Sequence, residues 1–118
     1  LPQSPPARTV PGEDGHDGVV YNSSLSGGTV INGGTVIRDN YIKKTNGFNG
    51  IDVYAYGKTV TIFGNYVETK TGAAIRLDGG KDAVISDNVA ICYDGTTIKV
   101  RNSTGTQSRQ NVERKGYE

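Results

Sequence analysis

The chain has 118 residues, a formal net charge of +1 and a mean hydropathy of −0.48. This length suits one domain, and the interspersed charges lack the basic field that nucleic-acid binding requires. No apolar run approaches the roughly 18 residues needed to span a membrane, and the single Cys92 has no partner for an internal disulfide. We therefore predict neither a nucleic-acid partner nor a membrane partner.

Residues 1–18 differ in composition from the rest of the chain. All four prolines lie here, and because proline lacks the N–H that a β-ladder needs, we predict an extended arm. An acidic, glycine-rich stretch follows, with the candidate metal ligands Glu13, Asp14, His16 and Asp17. One histidine in a loop is a weak ligand set. A solvated loop is the simpler interpretation, and we predict no metal site and no cofactor.

Residues 19–103 contain an internal repeat. Two sets of aligned residues define its period: Asn40, Asn65 and Asn88 are 25 and 23 residues apart, and Ile51, Ile75 and Ile98 are 24 and 23 apart. Each repeat alternates apolar and polar residues over short segments, which is typical of strands, and its turns carry Gly, Asn and Asp. Because this period leaves no room for a helix, we predict an all-β fold, a right-handed, single-stranded parallel β-helix of three to four rungs of about 23 residues.

The alternation also predicts which side chains face inward. The expected inward set is Ile37, Ile42, Ile51, Val53, Ala55, Val60, Ile62, Val67, Ile75, Leu77, Ala83, Ile85, Ala90, Ile98 and Val100. The three aligned asparagines predict a ladder of side-chain amides along the axis, for which a purely structural role is the simpler interpretation.

The last segment, residues 104–118, is polar and has no clear apolar period. We predict a polar C-terminal tail there, which runs along the coil as a strap or takes part in assembly. The chain begins at Leu1 and not at methionine, so we expect a processed product or a piece of a longer polypeptide. A short coil with open ends needs caps, which the arm, the tail, more chain or a partner would provide.

Seven residues are predicted to form one outward strip, which we call the outer strip. Its members are Asp52, Tyr54, Tyr56, Arg76, Asp78, Lys99 and Arg101. Tyrosine rings offer flat faces to sugars, and carboxylates and guanidinium groups bind hydroxyls and uronic acids, so the strip is a candidate carbohydrate-binding groove. Asp52 and Asp78 are a candidate glycosidase pair, although Arg76 between them disfavours an acid role. A solvated ladder of paired charges is the simpler alternative.

A second outward strip is more apolar. Val36, Thr61 and Val84 are predicted to stand on neighbouring rungs with Phe63 beside them, and Tyr41 is expected to stack on Tyr66. Exposed β-branched and aromatic residues mark candidate interfaces. We predict a subunit interface here, alongside the alternative that this is ordinary apolar surface.

The aligned segments resemble the parallel β-helix repeats of pectate-lyase-like proteins and phage tailspikes, over about two-thirds of the chain. The resemblance covers the apolar-x-apolar rhythm and the Asn anchors, such as Thr61–Val67 and Val84–Ala90, and no catalytic motif. It implies an architecture that hosts lyases, hydrolases, adhesins and inert spacers alike. The function therefore has to be argued from the surface of this chain.

Two functions are compatible with the resemblance. One is a structural or receptor-facing β-helix segment of a tailspike-like protein, which binds bacterial surface polysaccharide on a virion or in the extracellular space. Its expected partners are a polysaccharide and further copies of itself in a homotrimer, or the remainder of a longer chain. The other is a fragment of a polysaccharide lyase or glycoside hydrolase. A third option, an ice-binding surface, lacks the regular threonine row that it needs.

Overall fold

The computed structural model describes residues 19–22, 35–43 and 49–117. These residues form an all-β parallel solenoid of about three turns, with rungs of about 23 residues, as the repeat predicted. The strands are β1 (Val19–Asn22), β2 (Thr35–Arg38), β3 (Tyr41–Lys43), β4 (Ile51–Tyr54), β5 (Val60–Phe63), β6 (Tyr66–Asp78), β7 (Val84–Ser86), β8 (Val89–Arg101), β9 (Gln107–Arg109) and β10 (Val112–Lys115). No helix that could cross a membrane occurs in these ranges.

The strands form two parallel sheets. One follows the order β1–β4–β6–β8–β10, with β3 also paired to β6, and the other follows the order β2–β5–β7–β9. Strand β1 pairs with β4, so the opening rung begins at Val19. Each strand therefore pairs with its equivalent one turn later, which is the arrangement that a fixed period without helices requires.

The interior consists of aliphatic side chains stacked on aliphatic side chains. Ile37 pairs in register with Ile62, which pairs with Ile85, and all three are buried. Full burial of such a side chain contributes roughly 1.5–3 kcal/mol. The buried cluster contains the predicted inward residues from Ile37 to Ala90, with Ile98 partly buried against it.

Val100 departs from the predicted interior, since it is 40% exposed. Its partner on the preceding rung, Leu77, is fully buried. The difference arises because β10 pairs only with Val89–Cys92, the first part of β8. In the described ranges the second half of β8 therefore has no strand above it.

The asparagine ladder is present and is longer than predicted. The backbone N–H and side-chain Nδ2 of Asn40 both donate to Asn65 Oδ1 at 3.0 Å, and those of Asn65 donate to Asn88 Oδ1 at 3.0 and 2.9 Å. Asn88 repeats the pattern with Asn111 at 3.0 Å, a fourth member that the alignment missed. The residue before each asparagine has a positive φ of 56–70°, so the ladder lies at a sharp left-handed turn.

Residues 104–117 are part of the solenoid and not a tail. Strand β9 pairs with β7 and strand β10 pairs with β8, so the boundary predicted at Ser103 falls too early. The two strands were missed because polar residues occupy their inward register positions. Ser108 lies over Ile85 and Glu113 lies over Ala90.

This last rung forms a polar cover over the end of the core. Glu113 accepts a hydrogen bond from Thr97 Oγ1 at 2.5 Å, and Lys115 Nζ donates to the carbonyl of Gly95 at 2.6 Å. Charged side chains on edge strands also discourage pairing with other chains. The predicted arm and its candidate ligands Glu13, Asp14, His16 and Asp17 lie outside the described residues.

Candidate functional site

The outer strip has the register that the repeat predicted. Asp52 pairs with Arg76, and Arg76 pairs with Lys99. In the next row Tyr54 pairs with Asp78, and Asp78 pairs with Arg101. Adjacent parallel strands are about 4.8 Å apart, so strands β4, β6 and β8 bring these side chains within contact of one another.

Asp52 does not face solvent as the alternation predicted, because it is only 2% exposed. Arg76 Nη1 donates to Asp52 Oδ1 at 2.9 Å, and Asn49 Nδ2 donates to Asp52 Oδ2 at 3.1 Å. The two neighbours cover the carboxylate and satisfy it. Asp52 therefore positions Arg76 from beneath and is inaccessible to a ligand.

Arg76 is the centre of the strip. Its Nη2 donates to Asp78 Oδ2 at 3.0 Å, and its guanidinium carbon lies 5.1 Å from the centre of the Tyr54 ring, a cation–π distance. Partial burial alone would lower the pKa of Arg76, but the hydrogen bond and charge of Asp52 and the charges of Tyr54 and Asp78 outweigh it and raise that pKa. The guanidinium therefore stays charged and fixed between two carboxylates.

Tyr56 follows β4 in an unusual backbone conformation, with φ of 51°. The next two turns place their left-handed residue directly after the strand, at Gly79 with φ of 77° and at Asn102 with φ of 50°, residue types that adopt this region readily. The turn after β4 has Ala55 at that register position and its left-handed residue, Tyr56, one position later. A bulky residue there is an outlier that carries strain, and such strain concentrates at functional sites. Tyr56 is also 59% exposed.

Gly79 provides the space beside Tyr56. A Cβ atom at position 79 would lie 3.2 Å from the Tyr56 backbone nitrogen and 3.6 Å from its Cα, so a side chain there would crowd the turn. A shallow pocket of about 220 Å³ opens next to this glycine, and its lining residues are Tyr54, Tyr56, Asp78 and Gly79. We call these four residues the Tyr56 site.

The remaining members of the outer strip border this site. The Arg101 side chain is 50% exposed, and its Nε lies 3.9 Å from Asp78 Oδ2. Lys99 is exposed one rung beyond Arg76. Asn102 Nδ2 donates to Asp78 Oδ1 at 3.1 Å. Asp78 thus has a donor on each oxygen, which fixes its orientation toward the pocket.

This arrangement favours binding over catalysis. Arg76 holds both carboxylates of the strip in ion pairs and Asp52 is almost fully buried, so the two acids are not free to flank the scissile bond of a sugar chain. Flat aromatic surface, a fixed carboxylate and exposed cations are instead the groups that hold a sugar in place. The glycosidase pair Asp52 and Asp78 stays a prediction, and the burial of Asp52 weakens it.

A second exposed tyrosine lies elsewhere on the solenoid. Tyr41 stacks on Tyr66 with ring centres 5.0 Å apart and planes 10° apart, as predicted. Burial, followed by the charge of Glu68 and a hydrogen bond to it, raises the pKa of Tyr66. This pair offers an aromatic face away from the pocket that Tyr54, Tyr56, Asp78 and Gly79 line, and it provides a matched comparison for Tyr56.

The apolar strip predicted as an interface is less exposed than expected. Val36 pairs with Thr61, which pairs with Val84, while Phe63 lies in the adjacent row. Val36, Phe63 and Val84 are all only partly exposed. The subunit interface and the homotrimer stay predictions.

The described residues offer poor ligands for a soft metal. They contain no group of three or more His, Cys, Asp or Glu side chains that could hold a metal ion. The Cys92 thiol is fully buried and lies 3.7 Å from the carbonyl oxygen of Gly72. The chain contains no methionine and a single histidine.

Three residues of the site were not predicted from the sequence. Gly79, Asn102 and Asn49 each depend on where a turn places a backbone or an amide, which strand alternation does not indicate. A partial signal was present for two of them, since Gly79 and Asn102 are 23 residues apart. That spacing equals the period of the strands.

Fold and site together define a parallel β-solenoid protein that carries an aromatic and ionic strip along one face. The chain belongs to the NosD family, because it matches the family described as periplasmic copper-binding protein (NosD) over residues 8–115. This family carries parallel β-helix repeats, which agrees with the predicted architecture. No curated protein and no solved structure matched the chain.

Proposed function

We propose that this chain is a glycan-binding module of a NosD-family protein and acts outside the cytoplasm, with the Tyr56 site as its contact surface. The proposed location follows the word periplasmic in the family description. This location replaces the virion that the resemblance to tailspikes implied, because the comparisons give no support for a tailspike-like or viral role.

One observation carries the proposal. Tyr56 has a positive φ, at a turn where the next two rungs have Gly79 and Asn102. Strain of this kind costs roughly 1–3 kcal/mol, and here it accompanies an exposed ring beside an open pocket. A ring so placed can stack against the apolar face of a sugar while Asp78 accepts hydrogen bonds from its hydroxyls.

Binding to an array of neutral and acidic oligosaccharides tests this function. We expect Tyr56→Ala to weaken binding about tenfold, since loss of a stacked aromatic ring costs on the order of 1.5 kcal/mol. Tyr41→Ala is the matched control and should leave binding unchanged. No binding to any glycan, or loss of binding in Tyr41→Ala alone, would contradict the proposal.

Copper binding is the second candidate, because the family description names copper. Copper prefers thiolate, thioether and imidazole ligands, and the described residues do not fit it: Cys92 is buried and no ligand group surrounds it. We therefore derive no copper chemistry from residues 49–117.

This disagreement can be tested by titration with Cu(I) and Cu(II) under anaerobic conditions. We expect Cys92→Ser to leave the copper-binding isotherm unchanged, because the buried thiol is not available as a ligand. His16→Ala is the companion variant, since it removes the single histidine. A stoichiometric binding step that disappears in Cys92→Ser and persists in His16→Ala would contradict our interpretation of the core.

A further inference from the structure

The charges of the outer strip are unequally compensated. Each carboxylate accepts hydrogen bonds from two side chains. Asp52 accepts from Arg76 and Asn49, and Asp78 accepts from Arg76 and Asn102. One guanidinium therefore serves both acids. The other two cations of the strip, Lys99 and Arg101, remain exposed at its end.

Arg101 is only weakly neutralised by its neighbour. Its Nε lies 3.9 Å from Asp78 Oδ2, longer than a charge-assisted hydrogen bond, and Asp78 already accepts two closer donors. The strip as a whole has two acids, Asp52 and Asp78, and three bases, which leaves an excess positive charge beside the Tyr56 site.

The side chains around the strip also carry an excess of positive charge. From Lys99 to Tyr117 the chain has five basic side chains and one acidic side chain, whereas residues 49–98 have four basic and six acidic ones. Positive charge thus concentrates toward the C-terminal end of the solenoid, from the end of β8 through the last rung, although the net charge of the chain is only +1. A local field of this kind attracts anionic ligands.

We infer that the glycan bound at the Tyr56 site is anionic, and that Lys99 and Arg101 bind carboxylates of a uronate unit next to the sugar that stacks on Tyr56. This inference rests on the proposed function and specifies its ligand class. Arginine binds a carboxylate through two parallel N–H donors, and lysine acts as a point charge. Both cations lie on β8, two rungs of about 4.8 Å each from β4, so a sugar unit next to the one on Tyr56 can reach them.

The test compares ligands that differ only in charge. Hexamers of β-1,4-linked mannuronate and of β-1,4-linked glucuronate are each titrated against their carboxyl-reduced, neutral forms by isothermal calorimetry. We expect the uronate forms to bind at least about tenfold more tightly, and their affinity to fall as salt screens the exposed charges.

Two double variants identify the cations responsible. Lys99→Gln with Arg101→Gln should weaken uronate binding at least about tenfold, so that the uronate and carboxyl-reduced forms bind this variant with similar affinity. Lys43→Gln with Lys70→Gln removes the same charge from exposed positions outside the strip and away from its basic end, and should leave uronate affinity unchanged. Equal losses in the two double variants would overturn the inference in favour of general charge attraction.

The outcomes also separate this inference from the function on which it rests. Equal, Tyr56-dependent binding of uronate and neutral forms would overturn the anionic ligand and leave the glycan-binding function intact. Absence of binding for all four hexamers would overturn the anionic ligand, whereas the glycan-binding function fails only if the whole array is also negative.

Discussion

Replacing Asn65 with alanine is expected to lower the free energy of unfolding by about 3 kcal/mol or more. The Asn65 side chain accepts two hydrogen bonds from Asn40 and donates to Asn88 Oδ1 and to the carbonyl of Ile37 at 3.1 Å. Alanine would leave several of these buried groups without partners. Urea unfolding followed by circular dichroism measures the change.

Asn111→Ala is the matched control for this prediction. Asn111 occupies the same ladder position in the last rung but is partly exposed, so water can replace its lost hydrogen bonds. We expect a loss of about 1 kcal/mol for this variant. Equal losses at the two positions, or a loss well below that value for Asn65→Ala, would show that the ladder does not stabilise the solenoid in the way we describe.

The second large effect is expected at Arg76. Arg76→Met keeps an unbranched stem but removes every donor, so the buried carboxylate of Asp52 loses its counter-charge. Breaking a buried ion pair on one side costs roughly 3–5 kcal/mol. Because Asn49 still donates to Asp52, we expect a loss near the lower end, about 3 kcal/mol, measured by urea unfolding at pH 7.

Two further variants make the Arg76 prediction specific. Asp52→Asn in the Arg76→Met background removes the uncompensated charge and should recover part of the lost stability. Arg101→Gln removes an exposed partner of Asp78, and exposed ion pairs contribute only about 0–1 kcal/mol, so its stability should hardly change. If the double variant is no more stable than Arg76→Met alone, the buried charge is not the cause of the loss.

The period of the sequence was sufficient to predict the architecture. Alternating apolar residues and the Asn40, Asn65 and Asn88 spacing predicted the rungs, the aliphatic stacks and the amide ladder, and the structure confirms all three. The prediction stopped at Ser103 because it relied on apolar inward residues. Glu113 occupies such a position as part of a polar cover, so the hydrophobic signal is absent where the solenoid continues.

The candidate site was less predictable than the fold. Strand alternation indicated that Asp52 faces outward, but it could not indicate that Arg76 and Asn49 would cover it. The Tyr56 site depends on a positive φ in a turn and on the absence of a side chain at Gly79. These are properties of how two neighbouring turns meet, and alternation within one strand does not specify them.

The central claim, that the chain binds a glycan at the Tyr56 site, is tested most directly by an amide NMR titration with the hexamannuronate and its carboxyl-reduced form. We predict chemical-shift changes at Tyr54, Tyr56, Asp78 and Gly79, extending to Lys99 and Arg101 for the acidic ligand alone. Shifts confined to Tyr41 and Tyr66, or no shifts with these two ligands or with any glycan of the array, would contradict the claim.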